Sequence, residues 1–154
     1  MANQLIYTNI RASLQAFCKT IAEQQNVMLP DAPPLSVVDY DATQEDGDLP
    51  KTDTIGPANV LWTVEGKVIT VECMIGITTL EDKNNFRLHT RMAELFALTL
   101  PECRIPYVHY ETGTELSQFV VLDGVRMMPV ETDERPARFV MFQAALNRTT
   151  FAPG

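Results

Sequence analysis

Ile6, Ile10, Leu14, Phe17 and Ile21 recur at helical steps near the start of the chain, which predicts one apolar stripe of an α-helix over residues 1–25. Gln15, Lys19, Glu23 and Gln24 fall off that stripe, so one side of the helix is expected to lie on a core, with Asn3 as its cap. From Pro30 to Pro57 the pattern breaks up, with Pro33, Pro34 and Pro50 between them. Only Leu35 to Tyr40 has the texture of a short strand, and the remainder is predicted to be an exposed acidic loop.

Past Pro57 the period changes to two. Val60, Trp62 and Val64 alternate with Leu61, Thr63 and Glu65, Glu65-Gly66-Lys67 turns the chain, and Ile69, Val71, Cys73, Ile75 and Ile77 return on one face. This predicts an antiparallel hairpin with one buried side, in which Gly76 marks a bulge or a close approach. A second helix follows, with Thr79 and Asp82 as its capping pair and Leu88, Met92, Leu95, Phe96 and Thr99 as its stripe, ended by Pro101. Its other side, Arg87, Arg91 and Glu94, is expected in solvent. Strands are predicted at Ile105–Tyr110, Phe119–Leu122, Val125–Val130 and Ala137–Asn147. Asp123-Gly124 is either a hairpin turn or an irregularity inside one long strand. Phe139 and Met141 alternate with Val140 and Phe142, so both faces of the last strand are apolar, and it is expected either at the centre of the sheet or covered by a helix on one side and a partner on the other. The fold class is α+β: a mostly antiparallel sheet, two packed helices and a long acidic Pro-rich loop, in one domain over 1–154.

Charge sharpens that picture. The chain has 154 residues, with 12 basic against 20 acidic side chains and a net charge of −8. Asp31, Asp39, Asp41, Glu45, Asp46, Asp48 and Asp53 face only Lys51 between residues 31 and 53, so most of the excess sits in the loop. Such a balance argues against nucleic-acid and anionic-membrane binding, which draw on Lys and Arg. The absence of any apolar run near about 18 residues and of a signal-peptide pattern leads to the expectation of an intracellular, soluble chain.

Chemistry is sparse. Cys18, Cys73 and Cys103 are far apart and odd in number, which suits reduced thiols packed as small hydrophobes. His89 and His109 have no local catalytic signature, although Cys103 with His109 forms an arithmetically possible nucleophilic pair. The loop departs from a calcium-binding frame, since a count from Asp41 puts Asp46 where glycine belongs. No phosphate-cradling glycine loop precedes a helix. These observations lead to the expectation of a non-enzymatic protein without metal or cofactor. The surplus of Met127, Met128, Met141, Phe119, Phe139 and Phe142 in a two-faced sheet favours self-assembly.

The stretches VLWTVEGKVITVECMIGITT, EDKNNFRLHTRMAELFAL and DGVRMMPVETDERPARFVMFQAALNRT, spanning residues 57–149, resemble in element order and strand texture the tail terminator (tail completion) proteins of long-tailed bacteriophages. The resemblance implies a virion structural protein, made in the host cytoplasm and resident in the tail or neck. It implies a hexameric ring that caps the tail tube, meets the head connector and lets DNA pass without specific binding. On that footing Asp39, Asp41, Glu45, Asp46, Asp48 and Asp53 are candidates for a channel-lining or partner-facing acidic loop. Arg126, Met128, Arg135, Arg138, Phe139 and Met141 are candidates for the subunit interface. The alternatives are another head–tail joining or tail tube subunit, or a small module that recognises a basic partner through the loop.

Overall fold

The computed structural model describes residues 2–42, 49–99, 102–132, 135–148 and 150–151, with side chains from Leu5 onward. Helix α1 runs Ala2–Met28 and is followed by the short strand β1, Leu35–Val37. Strands β2, Asp53–Glu65, and β3, Val68–Thr78, form the hairpin. A 3-10 turn at Lys83–Asn85 leads into α2, Phe86–Leu98. Strands β4, Cys103–Val108, β5, Glu115–Met127, and β6, Ala137–Asn147, complete the chain.

The period-two reading of β3 holds along its whole length: Ile69, Val71, Cys73, Ile75 and Ile77 are each 2% exposed or less. Paired with them across the register are Leu146, Ala144, Phe142 and Val140 of β6, all buried on the same side. Against this face lies α1, through Ile6, Ile10, Leu14, Cys18 and Ile21, and beside it α2, through Leu88, Met92 and Leu95. In α1 the inward position is Cys18, and Phe17 is half-buried at its flank. Burial of each large aliphatic side chain contributes about 1.5–3 kcal/mol, and these residues form one cluster.

The six strands are ordered β1-β2-β3-β6-β5-β4. The β1–β2 pair is parallel and the rest are antiparallel, so the α+β class stands, and β6 is interior, one of the two placements its apolar faces allow. Asp123-Gly124 is an irregularity within the continuous strand β5, where the register to β6 shifts between Asp123 and Arg126. The acidic segment is shorter than expected, because β2 begins at Asp53 and not after Pro57.

The two edges of the sheet differ. At β4, Val108 N–H donates to Ser13 Oγ and Tyr110 N–H to Asn9 Oδ1, each at 2.9 Å, so side chains of α1 seal that edge. Pro106 adds a position with no N–H. At the other edge β1 covers only Asp53–Ile55 of β2. A bulge then falls between Ala58 and Leu61, with Asn59 in the left-handed region.

Candidate functional site

Three places concentrate polar or chemically able side chains, and the first is buried. Asp53 opens β2 on its helix-facing side and is fully buried. Its Oδ2 accepts from Arg91 Nε at 2.9 Å and from Arg87 Nε at 2.6 Å, while Oδ1 accepts from Arg87 Nη2 at 2.9 Å and from Leu80 N–H at 3.2 Å. Arg91 also donates to Gln25 Oε1 of α1 and to the Pro33 carbonyl, and Gln25 Nε2 returns a bond to the Arg91 carbonyl. One carboxylate thus ties together both helices, β2 and the turn after α1. This corrects two expectations. Asp53 is not a channel-facing loop acid, and Arg91, at 0% exposure, is not on a solvated helix surface. The physical reason is one of mutual neutralisation: neither charge is tolerated in the core without the other.

Beside this network Asp82 organises the start of α2. Its carboxylate accepts from Thr79 Oγ1 at 2.9 Å and from the amides of Arg87 and Leu88 at 2.9 and 2.8 Å. Burial works against its charge, but those amides, Thr79 and Arg87 win, and its pKa falls below the ordinary carboxylate value. The Thr79–Asp82 pair predicted from sequence therefore exists, displaced from the helix by the 3-10 turn. Pro101 and the side chain of Asn3 lie outside the described residues.

The second place is where the acidic segment leaves and rejoins the sheet. Asp39 Oδ2 takes Arg11 Nη2 at 2.8 Å, and Asp41 Oδ2 takes Arg11 Nη1 at 3.3 Å. Asp41 Oδ1 further accepts Asn59 N–H at 2.6 Å and Oδ2 accepts Val60 N–H at 3.3 Å, satisfying the amides of the β2 bulge. On the return side Arg135 Nη2 donates to the Pro50 carbonyl at 2.7 Å. Asp39 and Asp41 therefore secure the segment to α1 and β2. Glu45, Asp46 and Asp48, the remaining acidic candidates, lie outside the described residues.

The third is the sheet face turned away from the helices. At one end Tyr40 covers it: its hydroxyl bonds Thr54 Oγ1 at 2.7 Å, Thr54 bonds Thr78 in turn, and its ring meets Phe139 edge-on at 6.0 Å. The Phe139 ring lies directly on Gly76, the close approach that the glycine signalled. Toward the hairpin end no helix covers the face. Arg126 Nη2 sits 3.7 Å from Met141 Sδ, and with Glu72, Gly124, Phe142 and Gln143 they line a shallow hollow of about 240 Å³.

The interface candidates therefore separate. Arg126 and Met141 remain on the uncovered face, and Met128 is half-buried. Arg138 donates to the Met128 carbonyl at 2.9 Å, and Phe139 is committed to Gly76 and Tyr40. Arg135 is 8% exposed and held by Pro50, which corrects its placement on an accessible interface. Sequence reasoning missed Gln25, which continues the α1 stripe four residues after Ile21, and Arg11, whose two carboxylate partners are about 30 residues away.

The Cys103–His109 pair is not a catalytic unit. Six residues of extended chain separate them by about 20 Å. Cys103 is buried, and burial pushes its thiol pKa up, opposite to the activation a nucleophile needs. Cys18, pushed up to about 12 by burial, and Cys73, raised well above the usual thiol range by burial, are likewise core residues. His109 Nδ1 accepts from Glu111 N–H, and His89 Nδ1 lies 3.4 Å from Arg138 Nη1. Among the described residues no group of three or more His, Cys, Asp and Glu is arranged to hold a metal, and no helix is long and apolar enough to cross a membrane. No protein-family model matches the chain, and no curated protein matches it significantly.

Proposed function

We propose that the chain is a non-enzymatic virion structural protein of the tail terminator kind, a ring subunit that caps the tail tube and joins it to the head connector. The observation that carries this reading is the one-sided layering of the sheet. Both helices pack on one face, while the other leaves Leu61 at 57% exposure, with Glu72, Met74, Arg126 and Met141 also on it toward the hairpin end. A face that mixes apolar side chains with one acid and one base is suited to a subunit contact. The polar chemistry of the described interior supports the same reading, because Asp53, Arg87, Arg91 and Asp82 satisfy one another in holding elements together. The head–tail joining or tube subunit remains the nearest relative of this proposal. Light scattering on the purified protein tests it: a mass of several subunits, expected to be six, supports the ring, and a monomer that persists at high concentration overturns it.

A further inference from the structure

The most asymmetric feature of the fold is its pair of sheet edges, one sealed and one half open. We propose that the open half of the β2 edge, Leu61–Glu65, pairs antiparallel with the same segment of a second copy of this chain, about a two-fold axis at Thr63.

Backbone directions come from the hairpin turn. Glu65 and Val68 oppose each other across the two-residue turn Gly66-Lys67, so they bond to each other, and the alternation of an antiparallel ladder turns the N–H and C=O of Val64 and Trp62 away from β3. The other end of β2 agrees. Pro57, which has no N–H, faces Ile75, and the outward carbonyls of Ile55 and Pro57 accept from Val38 and Tyr40. The single extra residue of the bulge then switches the outward positions from odd to even numbers. Every outward group up to Val60 that the structure pairs is thus occupied by β1, by the segment after it or by Asp41. Beyond Val60, among the described residues, no strand pairs with the edge, and the Tyr7 ring of α1 meets Trp62 edge-on at 4.8 Å on the helix side of the sheet. Leu61, Val64 and Val68 stand 57%, 39% and 47% exposed around it.

The segment Leu-Trp-Thr-Val-Glu also carries neither proline nor lysine, two of the usual protections against edge pairing. The β4 edge carries two such devices, Pro106 and the α1 side chains Ser13 and Asn9. That contrast selects the partner. A second copy cannot offer its sealed β4 edge, so the contact is isologous, edge to like edge. Centred on Thr63, the register sets Trp62 against Val64 of the second copy, Leu61 against its Glu65 and Thr63 against its Thr63. Glu65, the one charge in the segment, meets an apolar side chain, so no like charges oppose one another. Trp62 and Val64 exchange backbone bonds across the axis, which leaves Thr63 in the closer, non-bonded type of pair.

Of its residues only Leu61 also borders the uncovered face of the proposed ring contact, and the pairing does not rest on that contact. The test is Thr63→Cys in the full chain, oxidised with copper phenanthroline, with Glu23→Cys on the exposed side of α1 as the control. The Cα separation of a non-bonded pair, about 4.5 Å, falls within disulfide reach, and the native thiols are buried. A disulfide-linked dimer from T63C and little or none from E23C is the expected result. Read by light scattering, the pairing is expected to be lost in T63K alone and in T63E alone, to return when the two are mixed, and to be lost in V64P. No crosslink from T63C in a protein with a native circular dichroism spectrum, or equal crosslinking from E23C, overturns the pairing. Six-fold rings without the Thr63 crosslink would refute the pairing and leave the ring; the crosslink without rings would do the reverse.

Discussion

Arg91 Nε lies 2.9 Å from Asp53 Oδ2, and both side chains are wholly removed from solvent. Removal of one partner leaves the other charge buried and uncompensated. Asp53→Asn is therefore expected to cost about 3–5 kcal/mol of folding stability. The double variant D53N/R91M is expected to cost less than the sum of its two single variants, which urea unfolding of all three measures. Arg87→Ala, at the more exposed rim of the same network, is expected to cost less than Arg91→Ala.

Asp82 gives the acid side of the stability curve a specific contributor. Its folded pKa is depressed, so the stability it provides is present above the ordinary carboxylate value and is lost as pH falls through the lowered one. Asp82→Asn is expected to destabilise at neutral pH by about 0.5–2 kcal/mol, the range of a lost helix cap. It is also expected to flatten the decline in urea midpoint on acidification, which a pH series of unfolding curves measures.

Gly56 and Gly76 are both packed too closely for a side chain, but not against equivalent neighbours. A Cβ at Gly56 would overlap the Val38 carbonyl, which is backbone, whereas one at Gly76 would overlap the Phe139 ring. Gly76→Ala is expected to cost about 1–3 kcal/mol by overpacking. Gly56→Ala is expected to cost more, because backbone has less freedom to withdraw. Thermal melts of both variants rank them.

The thiols supply a test of the core. Cys18, Cys73 and Cys103 are buried with raised pKa values, so none is expected to react with a disulfide reagent in the native protein near neutral pH. All three are expected to titrate after unfolding. A rapidly modified thiol in the native state would contradict the packing described.

The elements whose side chains repeat cleanly were legible from sequence: the α1 stripe, the alternation of β3, the two-faced β6 and the Gly66-Lys67 turn. The buried ion network was not, because burial of a charge depends on a partner far away in sequence, and Asp53 and Arg91 are 38 residues apart. Its traces were nevertheless present. Arg91 falls three residues after Leu88 and one before Met92, inside the stripe, and Asp53 shares the period-two face of Ile55. In the sequence Asp53 stands as one more charge at the end of an acidic segment, which masks its inward position. The burial of Arg135 is hidden for a related reason, since its acceptor is a backbone carbonyl, Pro50, that no charge pattern reveals.

Assembly into a ring that caps a tail tube is what we propose for this chain. Negative-stain imaging of the purified protein, alone and mixed with purified tail tubes, puts that assembly to the test. Ring-shaped particles with six-fold symmetry and a single density at one tube end are expected. Isolated monomers that leave both tube ends bare would contradict it.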